Sequence, residues 1–253
     1  MTPRHDRALV PIVLLAVASI FAIAGSIDVV YANGVCLECH DDTEVAGLDD
    51  SVHGGFACED CHAGAEAHLE GEAPPWVDCG MCHDDVSTEY AESIHGEKLG
   101  DGINEAPKCQ TCHGDPHAIV PGTDPSSPVF PDNLPATCAS CHSDPAFVEK
   151  FDIPRIQPVE AYEKSVHAQL VHEGLPGPSC NDCHGSHAIY PGFDRRSTVD
   201  HRNVPRICGN CHEDIVAQYN TSVHGVSALR GIPESPVCTD CHGEHNIASP
   251  STP

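Results

Sequence analysis

The sixteen cysteines are the most informative residues of this chain, because they all fall into C-x-x-C pairs. A histidine follows each pair directly, as in the segment from Cys36 to His40. Thiols and imidazoles in such clusters can bind zinc, form disulfides or attach a porphyrin covalently. The spacing of the residues has to decide between these chemistries.

The spacing favours covalent attachment of c-type haem. Two thiols three residues apart on a helical turn can add to the two vinyl groups of haem, and the adjacent histidine then lies beneath the iron. Zinc sites need two C-x-x-C half-sites to make four ligands, and they do not explain a histidine after every pair. We therefore predict eight haem c groups, attached through Cys36, Cys39, Cys58, Cys61, Cys79, Cys82, Cys109, Cys112, Cys138, Cys141, Cys180, Cys183, Cys208, Cys211, Cys238 and Cys241.

The histidine of each motif is the predicted proximal ligand of one iron. Methionine, an alternative sixth ligand, is nearly absent, since Met1 begins the chain and Met81 lies inside a motif, where it cannot reach the far side of its own haem. Histidine must therefore supply the distal ligands too. The predicted proximal ligands are His40, His62, His83, His113, His142, His184, His212 and His242.

Two recurrent settings supply eight candidate distal histidines. His53, His95, His167 and His224 occur in Ser-[Val/Ile]-His-[Gly/Ala]. His68, His117, His187 and His245 each follow a motif by a few residues, so each is too close to its own haem to reach the opposite face and must serve a neighbouring haem. His172 and His201 do not recur, and we expect them to be surface or propionate-contacting residues.

These histidines divide the chain into four predicted di-haem units, residues 36–68, 79–117, 138–187 and 208–245, here called units one to four. Each contains a first motif, a Ser-x-His histidine, a second motif and a trailing histidine. The connectors from His117 to Cys138 and from His187 to Cys208 align without a gap and are identical at 11 of 22 positions. We predict a single haem-binding domain over 33–253 built by internal duplication.

The expected fold class is mainly α and irregular, with a core of haem. Segments 86–95, 159–172 and 215–224 share Tyr-x-x-Ser-[Val/Ile]-His, and a modest helical period predicts a helix in each. Their tyrosines, Tyr90, Tyr162 and Tyr219, are expected to be packing residues. The 22 prolines and 21 glycines argue against a continuous sheet, so little or no sheet is expected.

The first 32 residues resemble an export signal, with Arg4 and Arg7 before an apolar run over 8–27 and a small residue, Ala32, at a cleavage position. Cleavage is the favoured interpretation, and an uncleaved membrane anchor is the alternative. In both cases the haem domain lies outside the cytoplasm, in the periplasm or its equivalent. The net charge of −26 disfavours nucleic acid and anionic lipid as partners and favours basic patches on redox proteins.

From Cys36 to His245 the chain resembles the multihaem c-type cytochromes, in particular the bis-histidine class III type and related periplasmic octahaem proteins of respiring bacteria and archaea. The resemblance implies closely spaced haems of low potential and rapid electron hopping. The octahaem hydroxylamine, tetrathionate and nitrite enzymes have the same haem number, but they are much larger and keep one iron open or lysine-ligated.

We therefore expect an electron carrier and not an enzyme. It would connect a donor, such as a quinol-oxidising membrane complex or another cytochrome, with a terminal acceptor. An oxidoreductase acting on a small nitrogen or sulfur compound would need a haem without its distal histidine, for which His68 is the weakest assignment because of its longer spacing. A subunit of an extracellular filament, joined by a spare histidine such as His201, is the remaining alternative.

Overall fold

The computed structural model describes residues 36–38, 40, 45–72, 77–154 and 157–249; the predicted export signal and Cys39 lie outside these ranges. The described residues form short helices and no strand, which confirms the helix-and-turn fold class for this part of the chain. None of these helices has the length and hydropathy needed to cross a membrane.

The α-helices, numbered in chain order, are α1 (Cys58–Cys61), α2 (Asp84–Ala91), α3 (Ile94–Gly100), α4 (Cys109–His113), α5 (Leu134–His142), α6 (Pro145–Lys150), α7 (Pro158–Tyr162), α8 (Val166–His172), α9 (Cys180–His184), α10 (Val204–Cys208), α11 (Glu213–Thr221), α12 (Val223–Leu229) and α13 (Cys238–His242). Short 3₁₀ turns span Cys36–Glu38, Ala65–Glu70, Cys79–Met81 and Pro116–Ala118.

Each of the three segments that share Tyr-x-x-Ser is helical, as predicted, but a break that was not predicted divides each of them into two helices. The break falls at a serine, Ser93, Ser165 or Ser222, which is the N-cap of the second helix. In the first of these the Ser93 hydroxyl accepts a hydrogen bond from Gly96 N and donates one to Tyr90 O. Because a serine hydroxyl competes with helical backbone pairing, it ends one helix and begins the next.

We expect Ser93→Ala to lower the free energy of unfolding by about 1–2 kcal/mol, because it leaves the Gly96 N–H and the Tyr90 carbonyl without their buried partner. Ser93 is fully buried. Denaturant unfolding followed by circular dichroism measures the change. Ser126→Ala, at an exposed hydroxyl, is the control and should change stability by less than about 0.5 kcal/mol. Equal effects of the two substitutions would contradict this account of the helix break.

The shared tyrosines fasten these helix pairs to the second motif of their own unit. Their hydroxyl groups donate hydrogen bonds to a proline carbonyl that lies two residues before the first cysteine of that motif. The pairs are Tyr90 with Pro107, Tyr162 with Pro178 and Tyr219 with Pro236. The contact recurs in units two, three and four, so these units hold their Ser-x-His histidine and their second motif in the same relative position.

The two duplicated connectors also adopt the same conformation. The side-chain amide of Asn133 donates to the carbonyls of Pro125 and Ser127, and that of Asn203 donates to the carbonyls of Arg195 and Ser197. Both serines are almost fully buried. Paired amide hydrogen bonds of this kind fix the conformation of a loop. The two connectors therefore hold the motifs that follow them, at Cys138 and Cys208, in equivalent positions relative to the preceding unit.

Consecutive units are joined by a backbone hydrogen bond that recurs at each of the three junctions. The donor is the N–H of the residue before a Ser-x-His histidine, and the acceptor is the carbonyl two residues beyond the trailing histidine of the next unit. The three bonds are Val52 N to Ile119 O at 2.8 Å, Ile94 N to Ile189 O at 2.8 Å and Val166 N to Ile247 O at 2.9 Å. Each unit therefore docks onto the next in the same register.

The side-chain core is very small. Its buried apolar members among the described residues are Ala106, Leu134, Val148, Ala168, Val171, Val204 and Val237. Ordering a backbone costs about 1–2 kcal/mol per residue, and a chain of this length normally buries far more apolar side-chain surface to offset that cost. The ordered arrangement therefore requires a further source of stabilisation.

Candidate haem-binding sites

The second motif of each unit forms a single helical turn that begins at its first cysteine. In the second motif of each unit the N3 residue of the turn, Asp60, Thr111, Asp182 or Asp240, accepts a hydrogen bond from the backbone N–H of the residue before the first cysteine. This local cap starts the helix at the first cysteine. Both thiols and the histidine then lie on one short turn.

Seven of the eight motif histidines face one other histidine at a nearly constant distance. The ring centroids are 6.2 Å apart for His40 and His68, 6.1 Å for His53 and His83, 6.2 Å for His62 and His117, 6.2 Å for His95 and His142, 6.1 Å for His113 and His187, 6.4 Å for His167 and His212, and 5.9 Å for His184 and His245. Every pair joins a predicted proximal ligand to a predicted distal one.

This distance identifies the kind of metal site the pairs can form. With metal–nitrogen bonds of about 2.0 Å, two imidazoles on opposite sides of one metal have centroids about 6.3 Å apart, whereas two ligands of a tetrahedral zinc lie about 5.1 Å apart. The observed pairs match the opposed arrangement, which leaves the plane between the rings for a porphyrin. The residues thus fit haem. Within the described ranges, no cluster of three or more metal-ligating side chains is present.

The pairs follow a rule that links neighbouring units. A Ser-x-His histidine faces the first motif of the next unit, as His95 of unit two faces His142 of unit three. A trailing histidine faces the second motif of the preceding unit, as His187 of unit three faces His113 of unit two. Each junction thus has two crossed pairs. Unit one departs from this rule, because its His40 faces His68 of the same unit.

The remaining histidines are not paired in this way. Neither His224 nor His242 has a ring contact within the described part of the chain, and both are exposed. His172 lies with Nδ1 at 2.5 Å from Asp132 Oδ1 and Nε2 at 2.8 Å from Glu163 Oε2, and these carboxylates raise its pKa. His201 Nε2 lies 3.0 Å from Asp240 Oδ2. These last two are thus surface histidines paired with carboxylates.

The cysteines form a single succession along the chain, and the fifteen described ones form no disulfide. Within each unit the first cysteines of the two motifs are hydrogen-bonding neighbours, as Cys36 with Cys58, Cys79 with Cys109, Cys138 with Cys180 and Cys208 with Cys238. Between units the second cysteines lie close together. Burial, and to a smaller extent the neighbouring thiol of Cys82, Cys141 or Cys211, raises the pKa of Cys61, Cys112 and Cys183 respectively.

Burial of the paired histidines is greatest in the middle of the chain. Desolvation, with a smaller contribution from His142, lowers the pKa of His95 to about 4. Desolvation, with contributions from His245 and His142, lowers the pKa of His184 to about 4. Burial also lowers the pKa of His113, His142, His167 and His245. A low pKa keeps the imidazole neutral, which is its ligating form.

Two sets of positioning residues were missed in the sequence. The proline that accepts from each tyrosine was detectable, because Pro-x-Cys precedes the second motif in units two, three and four, at Pro107, Pro178 and Pro236. The residue that caps the turn of each second motif lies inside the C-x-x-C pair and is acidic in three of the four units, so it too could have been recognised in the sequence. Both sets orient the motifs.

No family model matches the chain, and no curated protein or solved structure is significantly similar to it. The function proposed below therefore depends on the residues and their geometry.

Proposed function

We propose that the chain is an exported octahaem c-type cytochrome that carries electrons from one end of a row of haems to the other. The observation that supports it best is the set of seven opposed histidine pairs, each with a C-x-x-C turn beside its motif histidine. Haem, when bound, supplies iron that takes up and releases one electron at a time. Four di-haem units around a haem core would also supply the missing apolar surface.

The protein residues have three tasks in this proposal. Each C-x-x-C pair would hold one porphyrin edge, and at the seven paired sites the two imidazoles would ligate the iron from both sides, so that substrate would have no place to bind there. Burial of pairs such as His95 with His142 keeps the ligands neutral and excludes water. The crossed pairs at each junction tie consecutive units together through ligation, because each unit contributes a ligand to the other.

The succession of cysteine contacts supports an unbranched route. Hydrogen-bonded thiol pairs inside a unit alternate with thiol pairs between units that lie near enough to interact electrostatically, and the motifs follow one another in sequence order from Cys36 to Cys238. Because each thiol holds a porphyrin edge in this proposal, the attachment sites follow one another in a line. Electrons would enter and leave at the two ends, from redox partners with basic patches that complement the net charge of −26.

One observation favours a second candidate function. His242 has no facing histidine among the described residues, so its iron would have an open sixth position. An oxidoreductase acting on a small nitrogen or sulfur compound would use such a position. The open site is then at the second motif of unit four, and not at the first motif of unit one, which His68 already faces.

The proposal predicts that denatured protein, purified from cells that attach c-type haem, retains eight haems covalently. All sixteen cysteines should be consumed as thioethers. Intact-mass spectrometry should give the apo-chain plus eight haem masses, and thiol titration should find none free. Electron paramagnetic resonance of the oxidised protein should show at least seven low-spin bis-histidine irons.

Two results would count against it. Fewer than seven haems on mature protein, or free thiols that bind zinc, would remove the cofactor assignment. A high-spin iron that turns over nitrite or hydroxylamine with steady-state kinetics would favour the oxidoreductase. The control is the buffer-exchanged protein with an added electron donor and no substrate. It measures how fast the donor is oxidised when no nitrite or hydroxylamine is present.

A further inference from the structure

We infer that the open face of unit four, defined by Val223, His224 and His242, is the docking site for unit one of a second copy of this chain. The two copies would join head to tail and exchange histidine ligands across the junction. The inference rests on the proposed function, because the exchanged residues are axial ligands of haem.

The three internal junctions define what a complete junction contains. In each, the Ser-x-His histidine of one unit faces the first motif of the next unit. The trailing histidine of that next unit faces the second motif of the first. Each also has the backbone hydrogen bond from the residue before the Ser-x-His histidine. Two ligand pairs and one backbone bond therefore make up one junction.

Unit four has the residues that units one to three each contribute to the junction with the next unit, but no unit faces them among the described residues. His224, the Ser-x-His histidine, faces no motif histidine in the described chain, and His242 of the second motif faces no trailing histidine. Val223 N has no backbone acceptor among the described residues, and Val223 is 75% exposed. Its counterparts at the internal junctions are less exposed: Ile94 and Val166 are partly buried and Val52 is 47% exposed.

The geometry of unit four indicates that His224 and His242 do not serve one haem together. They are 18 residues apart, as are His95 and His113 in unit two. The hydrogen bond from Tyr219 to Pro236 matches the one in unit two and holds the two elements in the same relative position. In unit two those histidines face residues of unit three, so in unit four they point to where a fifth unit would lie.

Unit one offers the complementary half. In units two, three and four the first-motif histidine and the trailing histidine both face the preceding unit. In unit one the corresponding residues, His40 and His68, face each other at 6.2 Å, and both are exposed. In a single copy, His40 and His68 of unit one therefore pair with each other. In unit four, His224 is then a spare ligand and the iron of His242 would have an open position.

Docking of two copies resolves both defects. His68 of the following copy would leave His40 and bind opposite His242 of the preceding copy, and His224 of the preceding copy would take the place opposite His40. One iron–imidazole bond breaks and two form, with no net transfer of electrons or protons between neutral imidazoles. Each added copy gains one axial bond, and because the contact is heterologous it generates an open chain of copies.

Apolar side chains at the open face of unit four are consistent with a covered interface. Leu229 and Ile232 of unit four are 71% and 48% exposed. The charge of −26 per copy opposes association. Copies should therefore associate better at high ionic strength, where the Debye length falls to a few ångströms.

The experiment compares haem-loaded mature protein with the variants His224→Ala and His172→Ala at high ionic strength. Light scattering after size exclusion and negative-stain microscopy measure assembly, and electron paramagnetic resonance counts high-spin iron. We expect the wild type and His172→Ala to form linear multimers with rising concentration and to lose the one high-spin iron of the monomer. His224→Ala should remain monomeric and keep that high-spin iron.

Mixing separates a junction effect from misfolding. His224→Ala disrupts the docking face of unit four and leaves that of unit one intact, whereas His68→Ala disrupts the face of unit one and leaves that of unit four intact. Each alone should assemble poorly, and the mixture should give dimers that do not extend. Failure of the mixture to dimerise, multimers of His224→Ala like those of the wild type, or eight low-spin irons in the wild-type monomer would overturn the inference.

The same measurements keep the two proposals apart. Eight covalent haems on a protein that stays monomeric at every concentration would refute the docking and leave the electron-transfer proposal standing. Absence of covalent haem from mature protein would refute both.

Discussion

Produced in cells that cannot attach haem, the chain should be unfolded. Far-ultraviolet circular dichroism should show no helix minimum, the hydrodynamic radius should be that of an acidic random chain, and no cooperative thermal transition should appear. We expect this to be the largest effect of any single change, because it removes the whole folded state.

The physical reason is the size of the side-chain core. The buried apolar residues of the described chain are two alanines, four valines and one leucine, with no aromatic residue. The described helices are at most nine residues long, and isolated helices of that length are not stable in water. Repulsion within a chain of charge −26 adds to the cost. Porphyrins would have to supply most of the buried apolar surface.

The matched control is the same chain produced in cells that have the haem-attachment machinery, which should show helix and a cooperative transition. A second control replaces only Cys238 and Cys241 by serine. This should remove one haem at the end of the row and leave most of the helix content. A folded, cooperative apo-chain would show that haem is not the core.

Acidification should remove the low-spin spectrum with a midpoint at or below about pH 4, while the haems stay covalently attached. Histidine ligates iron only as neutral imidazole, so protonation of an axial histidine, proximal or distal, competes with ligation. Desolvation is the main cause that lowers the pKa of His95 and of His184 to about 4. These two belong to the pairs with His142 and His245 in the middle of the chain.

The direction in which stability changes with pH follows from how many protons the folded and unfolded states bind. In the unfolded chain these histidines titrate near pH 6.5, so between about pH 6.5 and 4 the unfolded state binds more protons than the folded state. Stability is therefore complete above about pH 6.5 and falls as the pH is lowered through this window. Ligation to iron acts in the same direction, because it also favours the neutral form.

Stopped-flow absorbance at a series of pH values measures the loss of low-spin haem, and intact mass measured afterwards tests covalent attachment. His172 provides an internal contrast, because hydrogen bonds with Asp132 and Glu163 raise its pKa, so that its contribution to stability is lost as the pH rises. A midpoint near pH 6.5 would indicate unburied imidazoles and contradict the arrangement. Release of free haem would contradict the thioether attachment.

The sequence alone was sufficient for the features that depend on local spacing. C-x-x-C-H, repeated eight times, predicts the attachment chemistry because two thiols and an imidazole on one helical turn interact with a single porphyrin edge. It was also sufficient for the helix-and-turn class, since prolines and glycines interrupt every longer segment. The helix break at Ser93 was missed, although the serine that causes it was part of the motif used to predict the helix.

Only the tertiary structure decided which histidine faces which. The sequence indicated that a trailing histidine such as His187 cannot reach its own haem, but its distance from His113 depends on how unit three docks onto unit two. That docking is set by nonlocal contacts, including the backbone bond from Ile94 to Ile189 and the connector loops. His224 has the same local sequence as His95, yet it faces no other histidine among the described residues, because ligand pairing is a property of two adjoining units and not of the local sequence.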